Sequence, residues 1–314
     1  MSGIVPGKRV AVCILTIVPA LTPAIGFAQT RQPQPCMTPV LSQVDDGPGP
    51  ADTGPAQVSQ TSPNAEPLPN GASLATSSGF EFGGEISDYR YQEHVVANTD
   101  FMNETGAKFG IIATGTKLFG SGFFVAGDFR FAYSSNDYWS PQTGTKPDIP
   151  DYLWDIRLLV GKDFLDENVF SSNQSLGISP YVGIGYRNLF NNLRAEGPQG
   201  YRRDSQYFYL PVGGTLRFRI TDNARISSNL EYDQLLLGWQ TSYLSDVSSR
   251  FPNTESDQHG GHGVRGSLMY ERAYRSAGPF FNYWNIDRSA VGNHGGYEPH
   301  NQTIEYGIQA RYRF

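Results

Sequence analysis

The sequence predicts an all-β fold: a transmembrane antiparallel up-and-down β-barrel of about ten strands, with eight and twelve as the alternative counts. Three observations predict it. From residue 79 onward, successive segments alternate apolar and polar side chains with a period of two. The connections between these segments alternate between short turns and long polar loops, the pattern of bacterial outer-membrane barrels. The mean hydropathy is −0.40, and no long apolar run follows the N-terminal segment. That excludes a helical membrane protein but not a barrel, whose strands hide their apolar half in alternation.

The front of the chain gives the compartment. Lys8 and Arg9 precede the apolar run AVCILTIVPALTPAIG, and Gly26-Phe27-Ala28 supplies a small-x-small cleavage site, so residues 1–28 read as a signal peptide. The run is short for an anchoring helix and carries Pro19 and Pro23. Cleavage after Ala28 removes two positive charges and no acid, taking the net charge from −6 to −8 and leaving Cys36 as the single cysteine. One thiol makes no disulfide framework, and Pro33-Gln34-Pro35 before it lacks the small residues of a lipoprotein site. The acidic balance argues against nucleic acid as a partner. Residues 29–78 are rich in Pro, Gln, Ser, Thr and Gly and hold no aromatic, so they predict a disordered periplasmic linker. Residues 79–314 are the barrel.

The strands follow in order. GFEFGGEISDYRYQ sets Phe80, Phe82, Gly84 and Ile86 on one face and Glu81 and Glu85 on the other; GAKFGIIATGTKLF groups Phe109, Ile111 and Ala113. After a GSG turn at 120–122, GFFVAGDFRFAYS sets Phe123, Val125, Phe129, Phe131 and Tyr133 against Phe124, Ala126, Asp128 and Arg130. DYLWDIRLLVG opposes Tyr152, Trp154, Ile156, Leu158 and Val160 to Asp155 and Arg157, and GISPYVGIGYRNLF opposes Ile178, Val182 and Ile184 to Tyr181 and Arg187. SQYFYLPVGGTLRFRI ends at a TDN turn. RISSNLEYDQLLLGWQ places Asn229, Glu231 and Asp233 together, then slips after Asp233, which predicts a bulge. HGVRGSLMYERAY sets Leu268 and Tyr270 against Arg265 and Glu271; PFFNYWNID is apolar on both faces and has no assignable sidedness. TIEYGIQARYRF closes the series, with Ile304, Tyr306, Ile308, Ala310, Tyr312 and Phe314 opposite Glu305, Gln309, Arg311 and Arg313. Long loops are expected at about 92–105, 135–150, 188–204, 242–262 and 287–302.

The inward faces carry Asp128, Arg130, Asp155, Arg157, Glu231, Asp233, Arg265, Glu305 and Arg311. Such a set either lines a narrow ion-selective pore or braces the lumen as ion pairs. A ten-stranded barrel is barely wider than its side chains, which favours bracing. All five histidines fall in segments expected to be external loops, none in a strand; His259, His262 and His294 are the candidate ligands for a transition metal. No cofactor is called for.

The strand number and signal architecture also resemble those of omptin proteases, whose site pairs two acids with an Asp-x-His across the rim. Asp257-Gln258-His259 matches the second element, and Asp137 offers only one acid for the first. An enzymatic activity therefore stays unassigned. The ending with Tyr312 and Phe314 resembles the C-terminal signature that the barrel assembly machinery recognises. GYRRDSQYFYLPVGG, LEYDQLLLGWQTSYLSD, PFFNYWNI and EPHNQTIEYGIQARYRF resemble a family of bacterial outer-membrane β-barrels. This resemblance, over about 79–314, implies a fold and a location in the outer membrane of a Gram-negative bacterium, and no activity. With an even strand number, both barrel ends face the periplasm. The expected partners are outer-membrane lipid, lipopolysaccharide and the assembly machinery. The expected role is structural or surface-interacting through the loops, with a narrow porin-like channel and an omptin-like protease as alternatives.

Overall fold

The computed structural model describes residues 74–96, 99–166, 176–197, 199–292, 294 and 296–314. The signal peptide, Cys36 and the linker up to residue 73 lie outside them. The strands are β1 (Gly79–Val96), β2 (Thr99–Leu118), β3 (Phe123–Ser140), β4 (Gly144–Lys162), β5 (Phe164–Asp166) and β6 (Leu176–Asn192), then β7 (Arg202–Thr221), β8 (Ala224–Ser242), β9 (Thr254–Gln258), β10 (Gly261–Arg272), β11 (Arg275–Ile286) and β12 (His300–Arg313). Ten of these make the wall. The short β5 extends the β4 position along β6, and the short β9 continues into β10 along β8. Every neighbouring pair is antiparallel, and β12 returns to β1 in register from Glu81↔Arg313 to His94↔His300. The sheet closes on itself, which leaves its strands without an open edge.

Alternation decides which face points where. Along β4, Tyr152, Trp154, Ile156, Leu158 and Val160 point outward while Asp151, Asp155, Arg157 and Leu159 point into the lumen. The same division holds in β3, β6 and β12. At ~3.4 Å per residue and a ~40° tilt, the outward run from Tyr152 to Val160 covers about 21 Å, close to the ~25 Å apolar band of a membrane barrel. Aromatic rings flank this band. At the end where the short turns lie (the turn end), Phe314 packs against Phe80 and Tyr312, and Tyr312 stacks on Tyr274. Toward the opposite (loop) end, Tyr133, Tyr152 and Phe190 form a row across β3, β4 and β6.

The expected bulge after Asp233 is present. Phe208 pairs with Leu237 and Tyr209 with Leu235, so Leu236 is the extra residue. Leu235 is buried inside while Leu236 and Leu237 are both exposed on the outer face. The ninth expected strand acquires its sidedness: in β11 Phe280, Trp284 and Ile286 are buried in the lumen, and Phe281 faces outward.

Two expected loops are corrected. The segments 92–105 and 135–150 are largely strand, because β1–β2 and β3–β4 rise as tall hairpins past the apolar band. Above the band the outer face carries exposed Ser135 and Asp137, and the inner face mixes buried Glu93, Glu104, Ser134, Asn136 and Ser140 with Tyr138 and Ile149. Polar residues on both faces erase the alternation by which a strand is read. The histidine placement is also corrected, since His94, His262 and His300 lie in β1, β10 and β12. Finally, the end of the expected linker is part of the barrel's packing. Leu74 and Thr76 are buried, and Thr76 bonds the Asp163 carboxylate through both its backbone N–H and its hydroxyl, each at 2.7 Å.

Candidate functional site

Among the described residues, most of the ion pairs lie in the lumen. Nearest the turn end, Arg313 bonds Glu81, Arg225 bonds Glu271 at 2.6 Å, and Asp163 takes the Ser179 hydroxyl at 2.5 Å besides Thr76. Further in, three arginines each hold more than one carboxylate. Arg130 bridges Glu85 and Glu305; Arg157 bridges Asp128 at 2.9 Å and Glu231 at 2.5 Å. Arg265 reaches Asp233 at 2.8 Å, Glu231 at 3.0 Å and Asp155 at 3.2 Å. Tyr209 donates its hydroxyl to Asp155 at 2.6 Å. Arg157–Glu231 and Arg265–Asp155 tie β4 to β8 and β10 across the lumen, whereas Arg157–Asp128 and Arg265–Asp233 join neighbouring strands.

Toward the loop end the lumen fills. Lys108 sits 3.2 Å above the Tyr89 ring, and Arg187 lies over Trp284, which packs against Tyr207 and Tyr209. Lys108, Tyr89, Tyr209, Arg187 and Glu305 are all almost fully buried. An apolar cluster including Tyr91, Met102, Tyr138, Ile149, Leu153 and Leu189 completes the packing. Between Glu104, Asp151 and Arg203 a void of about 10 Å³ is left, room for about one water. The turn-end half is different: it encloses a cavity of about 260 Å³ that runs from Arg130, Arg157 and Arg265 to the rim at Thr76 and Arg313.

The connection from β11 to β12 seats on the loop end through Glu298. Its carboxylate accepts from Arg203 at 2.6 Å and from Gln240 at 2.6 Å, and its backbone N–H donates to Ser289. Arg203 is shared with Glu93. One guanidinium faces two buried carboxylates, and burial, with Glu93 adding repulsion, pushes Glu298 up to about 8. A raised carboxyl value in the fold means that the stability it supports is complete below its unfolded value of about 4.5 and is lost as pH rises through about 8. The loop is therefore expected to be cut faster by an added protease at pH 9 than at pH 6, after correction for the protease's own pH profile. Glu298→Gln is expected to abolish that difference; an unchanged pH dependence in that variant would contradict the assignment.

Of the residues singled out in the sequence, Asp128, Arg130, Asp155, Arg157, Glu231, Asp233, Arg265 and Glu305 converge in the lumen. Arg311 stands apart near the mouth, bonded to Gln309 and 3.9 Å from Glu81. Glu85, Glu93, Asp163, Arg203 and Glu298 complete the network. Glu85 carries a signal in its inward register, whereas Glu298 sits in a connection with no periodicity to point at it.

The rim candidates do not assemble. Asp137 points outward from β3, next to buried Asn136; Asp257 points outward from β9, on the opposite side of the wall. Each faces away from the other, so they do not form the acidic-and-histidine pair of an omptin-like site. His259 and His294 are exposed, and His262 stacks on Tyr232 at 5.8 Å on the outer face. Among the described residues no group of three or more His, Cys, Asp or Glu side chains is placed to hold a metal.

No family model matches the chain, and none of the curated proteins matches it. Among solved structures it is similar to Neisserial surface protein A, at 11% identity and a TM-score of 0.32, covering 76% of this chain and 98% of that one. It is also similar to an outer membrane channel from Pseudomonas putida, at 8% identity and 0.32, covering 80% of this chain and 100% of that one. A major outer membrane protein from Thermus thermophilus matches at 11% identity and 0.31, covering 75% of this chain and 99% of that one. At these scores the likeness carries no argument, and the barrel stands on its own strand pairing.

Proposed function

We propose that this chain is an outer-membrane β-barrel with a sealed lumen, acting as a structural or surface-interaction protein through its loop end. The observation that carries the reading is the packing of the loop-end half of the lumen, where Lys108, Tyr89, Arg187 and Trp284 fill the cross-section. The apolar outer band and its flanking aromatic rings support a lipid-embedded position. In this reading the turn end faces the periplasm, the loops meet lipopolysaccharide and the surroundings, and Tyr312 and Phe314 serve the assembly machinery.

Conductance is the test. Folded protein reconstituted in planar bilayers is expected to insert without stepwise current. Discrete, reproducible steps would restore the narrow-channel alternative. Orientation has its own check: protease added to whole cells is expected to cut within 242–262 and to leave residues before Leu74 intact. Cleavage confined to the N-terminal segment would invert the topology.

A further inference from the structure

We propose that the turn-end mouth of the lumen is a binding site for a small anion carrying a phosphate or carboxylate group. The cavity of about 260 Å³ has a closed deep end and a rim, so a ligand enters from the side on which the short turns lie. The charge along it is graded. At the deep end Arg130, Arg157 and Arg265 are each held by at least two carboxylates, so each of these positive charges is already matched.

At the mouth the balance reverses. Four arginines, Arg217, Arg225, Arg311 and Arg313, meet three carboxylates, Glu81, Asp163 and Glu271. Glu81 is engaged by Arg313, and Glu271 is engaged by Arg225 and Ser227. Asp163 is engaged by Thr76 and Ser179. Among the described residues, Arg217 and Arg311 are thereby left with their nearest carboxylate at 3.9 Å, beyond hydrogen-bond reach. Their side chains are only 11% and 25% exposed. Neutral groups bond them instead: the Ser179 hydroxyl for Arg217, and the Gln309 carbonyl and Thr114 hydroxyl for Arg311.

A largely buried guanidinium without a close counter-charge is costly, and an entering anion removes that cost. The planar fork of donors matches the paired oxygens of a phosphate or carboxylate. The Ser276 hydroxyl lines the same space and adds a neutral donor, while those of Thr114 and Ser227 are committed to Asp128 and Glu271. A volume just under the ~300–1,000 Å³ of drug-sized pockets restricts the ligand to a small one. That the site opens to one side only rests on the sealed-lumen reading, whereas the arginines that hold the anion lie at the turn-end mouth.

The test is calorimetric titration of the folded full chain in detergent with inorganic phosphate and, separately, succinate, at constant ionic strength. Saturable one-to-one binding is expected for at least one anion: phosphate alone identifies the phosphate group, succinate alone the carboxylate, and both a general oxyanion site. Arg217→Gln with Arg311→Gln is expected to weaken binding by roughly tenfold or more, and Arg202→Gln, at the loop end beside Asp246, to leave it unchanged. The milder pair Arg217→Lys and Arg311→Lys keeps the charge, loses the fork and is expected to fall between. Absence of saturable binding to both anions by the unaltered chain would overturn the proposal without recourse to any variant. So would binding that the glutamine pair leaves intact, or that Arg202→Gln weakens equally.

Discussion

Arg130→Leu is expected to cost the folded barrel about 3–5 kcal/mol, the usual penalty for removing one partner of a buried ion pair. Arg130 lies between Glu85, at 2.5 Å, and Glu305, and both carboxylates are buried. Leucine leaves two largely buried negative charges facing each other with no guanidinium between them. The Ser87 hydroxyl, 2.6 Å from Glu305, supplies one hydrogen bond and no charge. The variant should therefore unfold at lower urea in detergent, and lose its heat-modifiable band on gels at lower temperature. Adding Glu305→Gln should recover most of the loss, because one of the two unpaired charges is gone. A loss below about 1 kcal/mol, the value of an exposed pair, would mean that water reaches Arg130 and that the brace is not buried.

The same reasoning ranks the inward arginines, and the ranking was not available from the sequence. Alternation shows that Arg130, Arg157, Arg265 and Arg311 share an inward face. It does not show that Arg157 of β4 meets Glu231 of β8 across the lumen, whereas Arg311 comes no closer than 3.9 Å to a carboxylate among the described residues. Those pairings depend on how far each strand is staggered against its neighbour around a closed wall, a property of the whole ring. What a single strand determines is legible: the outward rows of β3, β4 and β12, and the bulge after Asp233. What depends on environment is not. β11 hides its sidedness because the lumen beside it is itself aromatic, with Trp284 against Tyr207 and Tyr209. The hairpin tops above Tyr133 and Tyr152 read as loops because polar side chains stand on both faces, with Ser134, Asn136 and Ser140 among buried Tyr138 and Ile149 on the inner one. The histidines follow the same rule, since a strand end that has left the lipid band looks like a loop in composition.

At the seam that closes the barrel, Gly307→Val is expected to be among the most damaging substitutions that touch no charge. A Cβ on Gly307 would run into the Ile86 carbonyl oxygen, and would stand 2.7 Å from both Cα and Cβ of Ser87. Across the same seam, a Cβ on Gly83 would run into the Ala310 carbonyl oxygen. The two glycines lie on β12 and β1, so the close approach is reciprocal and comes from the curvature of the paired strands. The obstructing atoms are backbone, which cannot rotate aside as a side chain can. Overpacking usually costs ~1–3 kcal/mol, and a backbone obstacle puts Gly307→Val at about 3 kcal/mol or more. Failure here also differs in kind from a core defect, because an unpaired β1–β12 edge exposes two rows of N–H and C=O groups. Gly115→Val is the control: a Cβ there meets nothing within 4 Å, and the residue lies on the outer face of β2. Refolding into detergent should give a normal yield of heat-modifiable barrel for Gly115→Val and a small fraction of it for Gly307→Val. Equal yields would show that β1 and β12 have room to separate at the seam, and that the barrel tolerates a looser closure than its register implies.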